Sequence, residues 1–166
     1  MKNMNELSLS FLQEIYYAER QLLKALPKMA KVAQNEKLKQ GFMDHHNEIE
    51  SHVERLQQVF EHLGKRTRGQ VCEAINGIIE EAEELIHDFD SGAVLDAALA
   101  ANAQAMEHYQ MARYGSLIGW LKATGHANAV KLLEETLQDE TKADRLLNQI
   151  ASSELNQKAA ATAKVA

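Results

Sequence analysis

The chain has 166 residues, 45% hydrophobic and 25% charged, with one proline, one cysteine and a formal net charge of −6. That length suffices for one domain with a closed core. The acidic balance argues against nonspecific nucleic-acid binding, the lone Cys72 excludes an intrachain disulfide or a Cys-based zinc site, and no apolar run approaches membrane-spanning length.

Ala, Leu, Glu, Lys and Gln dominate while Pro and Gly are scarce, so the sequence predicts an all-helical protein. No β-branched alternation marks a strand. The polar opening Met1-Lys2-Asn3-Met4-Asn5-Glu6 lacks the apolar core of a signal peptide, and with the single cysteine it predicts a cytoplasmic protein.

The first helix is predicted from about Ser8 to Ala33, with Leu12, Ile15, Tyr16, Leu22, Leu23 and Leu26 in helical period. Pro27 should bend it, because proline cannot donate to the carbonyl four residues back. Glu19 lies at the centre of its apolar face. Asn35 is the expected N-cap of a second helix, which runs to about Leu63 and ends at Gly64. Its stripe is Phe42, Ile49, Val53, Leu56 and Phe60, edged by His45, Glu48 and His52.

Gly64 to Gln70 is a short connection whose Lys65, Arg66 and Arg68 read as a solvated loop. A shorter third helix, about Val71 to Phe89, carries Ile75, Ile78, Ile79, Leu85 and Ile86 inward. Asp90-Ser91-Gly92 breaks the chain. A long helix, about Val94 to Thr124, turns Leu99, Ala103, Met106, Glu107, Gln110, Tyr114, Leu117 and Leu121 inward. Gly125 closes it, and the last long helix spans about His126 to Ser152. The domain is therefore placed at residues 1–153, with 154–166 as a flexible, Ala-, Lys- and Gln-rich tail.

Four helices of about 26–31 residues, each roughly 40 Å long, form two hairpins joined by a segment with a shorter helix. This predicts a ferritin-like four-helix bundle with one long crossover.

Acids on apolar faces are costly unless paired, hydrogen-bonded or bound to a cation. In the last helix Glu140 and Asp144 interrupt the face formed by Val130, Leu133, Leu137, Leu147 and Ala151. Folding each hairpin about its link puts Glu19 about 15 residues before the first turn, and Glu48 and His52 about 14 and 18 after it; Glu107 falls about 18 before the second turn, and Glu140 and Asp144 about 15 and 19 after it. All six side chains then share a level within about one helical turn. The halves read Glu … Glu-x-x-x-His and Glu … Glu-x-x-x-Asp, a pattern suited to two metal ions with bridging glutamates.

Carboxylates with one or two imidazoles suit iron or manganese better than a structural zinc, and calcium would want more oxygen ligands. His45 lies about two turns from His52 and stands as an alternate ligand or an outer partner. Tyr16 and Tyr114 lie near the inner faces, placed to hydrogen-bond the acids.

The segments Leu12 to Leu22 with Tyr16, Ala18 and Glu19, Phe42-Met43-Asp44-His45 followed by Glu48, Glu54-Arg55-Leu56, Glu107-His108-Tyr109, Ala112-Arg113-Tyr114-Gly115 and Leu133 to Asp144 resemble the YciE/YciF family of bacterial stress-associated ferritin-like proteins. The resemblance covers nearly the whole chain. It implies a homodimer with a rubrerythrin-like centre of two iron ions, manganese or zinc being alternatives, and an association with stress.

Relatives commonly carry Glu where this chain has Gln110, which removes one negative charge beside Glu107 and leaves an amide carbonyl as an alternate, weaker ligand or outer partner. The family recurrently has His at the position of His45, while some relatives have Gln at that of His52. The chain also lacks rubredoxin-type cysteine pairs. The implied function is Fe(II) oxidation by dioxygen or peroxide. The rival is a structural or interaction protein whose site is a stabilising or vestigial metal staple.

Overall fold

The structure, a computed structural model, describes residues 3–163. Its helices are α1 (Met4–Val32), α2 (Glu36–His62), α3 (Glu73–Asp88), α4 (Ala93–Ala123) and α5 (Ala127–Ile150). A π-helical turn, Ala151–Leu155, then leads into α6 (Asn156–Thr162). Among the described residues there is no strand.

The turns follow from local chemistry. Asn35 caps α2, its side-chain oxygen accepting from the amides of Lys37 and Leu38. Gly64 and Gly125 end their helices at φ +62° and +82°, the left-handed region that glycine enters without a Cβ clash. Helix α1 is capped by Asn3 and Glu6 reciprocally and passes through Pro27 without interruption.

Helices α1 and α2 form one antiparallel hairpin, α4 and α5 the other, and α2 packs on α5 while α1 packs on α4. The crossover runs the length of α1. Gln70 donates its amide to the Gln13 carbonyl, Tyr17 donates to Asn76, Lys28 pairs with Glu83, and Ser91 donates to the Val32 carbonyl. This lengthwise return brings α4 in antiparallel to α1, so all neighbouring bundle helices are antiparallel.

Asp96 fastens the far end. It is buried near the start of α4, and its two carboxylate oxygens accept from the amides of Gln34 and Asn35, both at 2.8 Å. The core is two apolar clusters, one around Leu26, Phe42, Ile75, Leu99 and Met106, the other around Leu12, Phe60, Leu117 and Leu133.

Where the sequence places a tail from Glu154, the chain continues as helix through Thr162. Leu155 is buried, and Glu154 accepts from Asn35 and pairs with Lys37. The π turn resets the helical phase there, widening one turn by a residue. A strict 3.6-residue period cannot anticipate that shift. Residues 164–166, the rest of the expected tail, lie outside the described residues.

Candidate metal centre

Each of the four bundle helices contributes a polar side chain to the interior between the two apolar clusters. Glu19 comes from α1, His45 and His52 from α2, Glu107 from α4 and Glu140 from α5; all are buried, and Glu19, His52 and Glu140 have no exposed surface. They fall into two groups: Glu19, His52 and Glu140, and His45, Glu107 and Glu140. In each group three donor atoms lie within 4.8 Å of one another.

Glu140 belongs to both groups. Its Oε1 lies 3.5 Å from His52 Nδ1 and its Oε2 lies 3.5 Å from His45 Nε2. His52 Nδ1 is also 3.5 Å from Glu19 Oε1, and His45 Nε2 is 3.1 Å from Glu107 Oε1. The two imidazole centroids stand 6.0 Å apart. Seven residues return a helical side chain to within about 20° of its starting azimuth, which is how His45 and His52 reach the same interior.

The polar inventory is left unsatisfied. Glu19 Oε2, His45 Nε2, both ring nitrogens of His52, Glu107 Oε2 and both oxygens of Glu140 are buried without a hydrogen-bond partner among the described residues. Gln110, on α4 between Glu107 and Tyr114, is fully buried with neither amide atom partnered. Asp96 is the contrast: it is equally an acid in the interior, yet both of its oxygens accept backbone amides. Unpartnered buried polar atoms each cost about 1–3 kcal/mol, more for charged groups. Such convergence of unpartnered donors is the arrangement a cation site requires.

The protonation equilibria fit this. Burial, followed by the repulsion of Glu107, pushes the Glu140 carboxyl up to about 7. Burial and the nearby Glu140 likewise raise Glu19. For His52, burial works against the charged form, but the Glu140 and Glu19 carboxylates outweigh it and raise the imidazole to about 10. His45 is also raised, burial being overcome chiefly by Glu107. Acids and imidazoles that face one another in a buried space thus shift in the direction that favours shared protons.

Outer groups fix the inner ones. Tyr114, fully buried, donates to Glu19 Oε1 at 2.5 Å. Asp139, held by Arg55 at 2.9 Å, lies 3.6 Å from His52 Nε2, on the far side of the ring from Glu19 and Glu140. Sequence reading passed over Asp139 and Arg55, although Arg55 follows His52 by one turn on the same helix face. Tyr16 instead packs edge-on against Phe60.

Two of the sequence-derived candidates lie outside both groups. Glu48, half exposed, accepts from His45 Nδ1 at 3.4 Å. Asp144 turns toward α4, 3.0 Å from His108 Nε2 and 3.5 Å from the Gln104 amide. A four-residue step advances about 40° around a helix, enough to carry Asp144 from the interior seam to the α4–α5 surface.

The donor set is imidazole and carboxylate, which suits iron, manganese or zinc. Each group can hold a divalent cation. A bundle with a lengthwise crossover and buried Glu/His groups on all four helices is a ferritin-like protein.

Residues 3–160 match the family described as a domain of unknown function, DUF892. The chain is 40% identical over 160 residues to Protein YciF of Escherichia coli K12, covering 96% of each. The crystal structure of the E. coli stress protein YciF aligns at TM-score 0.90, covering 95% of this chain and 100% of that one. YcfI of Rhodopseudomonas palustris aligns at TM-score 0.87 with 47% identity, covering 89% and 94%. A protein of Xanthomonas campestris shares the fold at TM-score 0.74 and 18% identity, over 91% and 93%. The chain belongs to the YciF/YciE-like family.

Proposed function

We propose that the protein is a cytoplasmic, homodimeric two-metal protein of stress protection that oxidises Fe(II) with dioxygen or peroxide. One ion would be held by Glu19, His52 and Glu140, the second by His45, Glu107 and Glu140. The observation that carries this reading is Glu140, which is fully buried with each orphaned oxygen facing a different histidine.

Bound iron would supply the electrons that reduce the oxidant; manganese or zinc fits the same donors but zinc is redox-silent. The chain's own residues do the rest. Three carboxylates offset the cationic charge, the imidazoles give up their protons on loading, and Tyr114 holds Glu19 in register.

The test is anaerobic Fe(II) titration followed by oxidant. About two equivalents per chain, then the absorbance of oxidised iron, are expected. Binding below one equivalent overturns the two-metal reading. Gln110 favours a second reading: a neutral amide beside Glu107 leaves a less anionic site that binds metal as a structural staple without turnover. In that case metal raises the melting temperature and no oxidation follows.

A further inference from the structure

A cavity of about 160 Å³ opens beside one of the two groups and not the other. Its floor includes His45 and Glu107, whereas Glu19 and His52 take no part in its lining. Its walls are Leu26, Phe42, Ala103, Ala143, Leu146 and Leu147. Asp44, Glu48 and Lys142, all exposed, also line it and place its mouth at the surface between α2 and α5. The Glu19–His52 side has Tyr114 and the Arg55–Asp139 pair around it instead.

The ligand chemistry follows from this lining. A cavity of about 150 Å³ accommodates a molecule the size of benzene, so the space is larger than hydrogen peroxide or dioxygen needs. The walls reward an apolar body. Past the apolar walls the lining turns polar at His45 and Glu107, the residues that would hold the second ion, so the head of a bound molecule would lie beside that ion. A molecule with an alkyl body and a small oxygen head that can reach the ion meets both demands.

We propose that this cavity binds a small organic hydroperoxide, its alkyl body against the leucine and alanine walls and its O–OH group against His45 and Glu107. This rests on the two-metal reading and specifies its oxidant. The overall step balances as one hydroperoxide, two protons and two Fe(II) giving one alcohol, one water and two Fe(III). The O–O bond would break with its two oxygens gaining two electrons, which bound Fe(II) would supply.

Gly41 supplies the test. A Cβ there would meet only Leu146 Cδ2, at 3.7 Å, so Gly41→Leu fills the cavity from its wall without a backbone clash. Ala143→Leu fills it from α5. The redox-silent Zn(II)-loaded protein is titrated with tert-butyl hydroperoxide while methyl resonances are followed by NMR. Saturable shifts at Ala103 and Leu147, lost in either filled variant that remains folded, are expected; no saturable shift, or shifts equal in the filled variants, overturns the proposal.

The Fe(II)-loaded protein separates the two readings. Oxidation by tert-butyl hydroperoxide should fall about tenfold or more in the filled variants. Iron oxidised by hydrogen peroxide but not by tert-butyl hydroperoxide overturns the organic-hydroperoxide proposal and leaves the two-metal function standing. Iron oxidised by neither, with two equivalents bound, overturns the oxidase reading on which the proposal rests.

Discussion

Tyr114 donates a 2.5 Å hydrogen bond to Glu19 from a position with no exposed surface. The phenol proton is held there: burial, then the charges of Glu19 and Glu140, raise the Tyr114 hydroxyl well above its usual range. The raised hydroxyl keeps its proton for the bond to Glu19. Tyr114→Phe removes the donor and leaves Glu19 Oε1 bare, and should destabilise the metal-free protein by about 1.5–3 kcal/mol. Bound cation replaces the lost partner, so the deficit should shrink in the loaded protein. Denaturant melts of both forms check this; an equal deficit with and without metal would detach Tyr114 from the site.

Metal loading should release protons. Against burial, the facing carboxylates raise His45 and His52, and burial raises Glu140 to about 7, while ligands must be deprotonated to bind. Calorimetric titration with Zn(II) in two buffers of different ionisation enthalpy should show about two to three protons released per chain at pH 7. Affinity should rise steadily between pH 6 and pH 8. A pH-independent affinity would contradict the proposed ligand set.

Glu140 also governs the stability of the metal-free chain. Its folded-state value of about 7 lies above the ordinary 4.5, so its neutral form is favoured by folding. That contribution is complete below about pH 4.5 and is lost as pH rises through 7. Glu140→Gln keeps the shape and cannot ionise. In chelator, the variant should gain a few kcal/mol relative to wild type between pH 5 and pH 8 while losing both metal equivalents. Unchanged relative stability across that window would show that Glu140 does not hold the proton.

Asp96 serves as the control acid. Asp96→Ala leaves the amides of Gln34 and Asn35 without their acceptor and should cost about 1.5–3 kcal/mol. Its metal stoichiometry should equal that of wild type, as measured by elemental analysis after gel filtration. A lost equivalent would mean that the α1–α2 turn, and not local donors alone, sets the site.

The helices and their order were legible because their signals are local. Asn35 at a cap, Gly64 and Gly125 at left-handed turns, and stripes such as Leu12, Ile15 and Leu22 act within a few residues. The interior positions of Glu19, Glu107 and Glu140 were legible for the same reason: each interrupts an apolar stripe. The helical continuation through Leu155 was not, since a π turn is fixed by how the last helix meets α4 and the α1–α2 corner.

The amino-acid sequence by itself determined an all-helical chain of two hairpins with acids at one depth, because helical period and rise convert residue spacing into face and level. Only the tertiary structure decided which of these acids converge. A helical period leaves about 40° of azimuth open between positions four apart, and whether a side chain falls on the inner seam depends on how each helix is rotated in the bundle. That rotation turned Asp144 to His108 and Glu48 toward the rim. It brought His45 inward beside His52 and left Glu140 between them, shared by both groups.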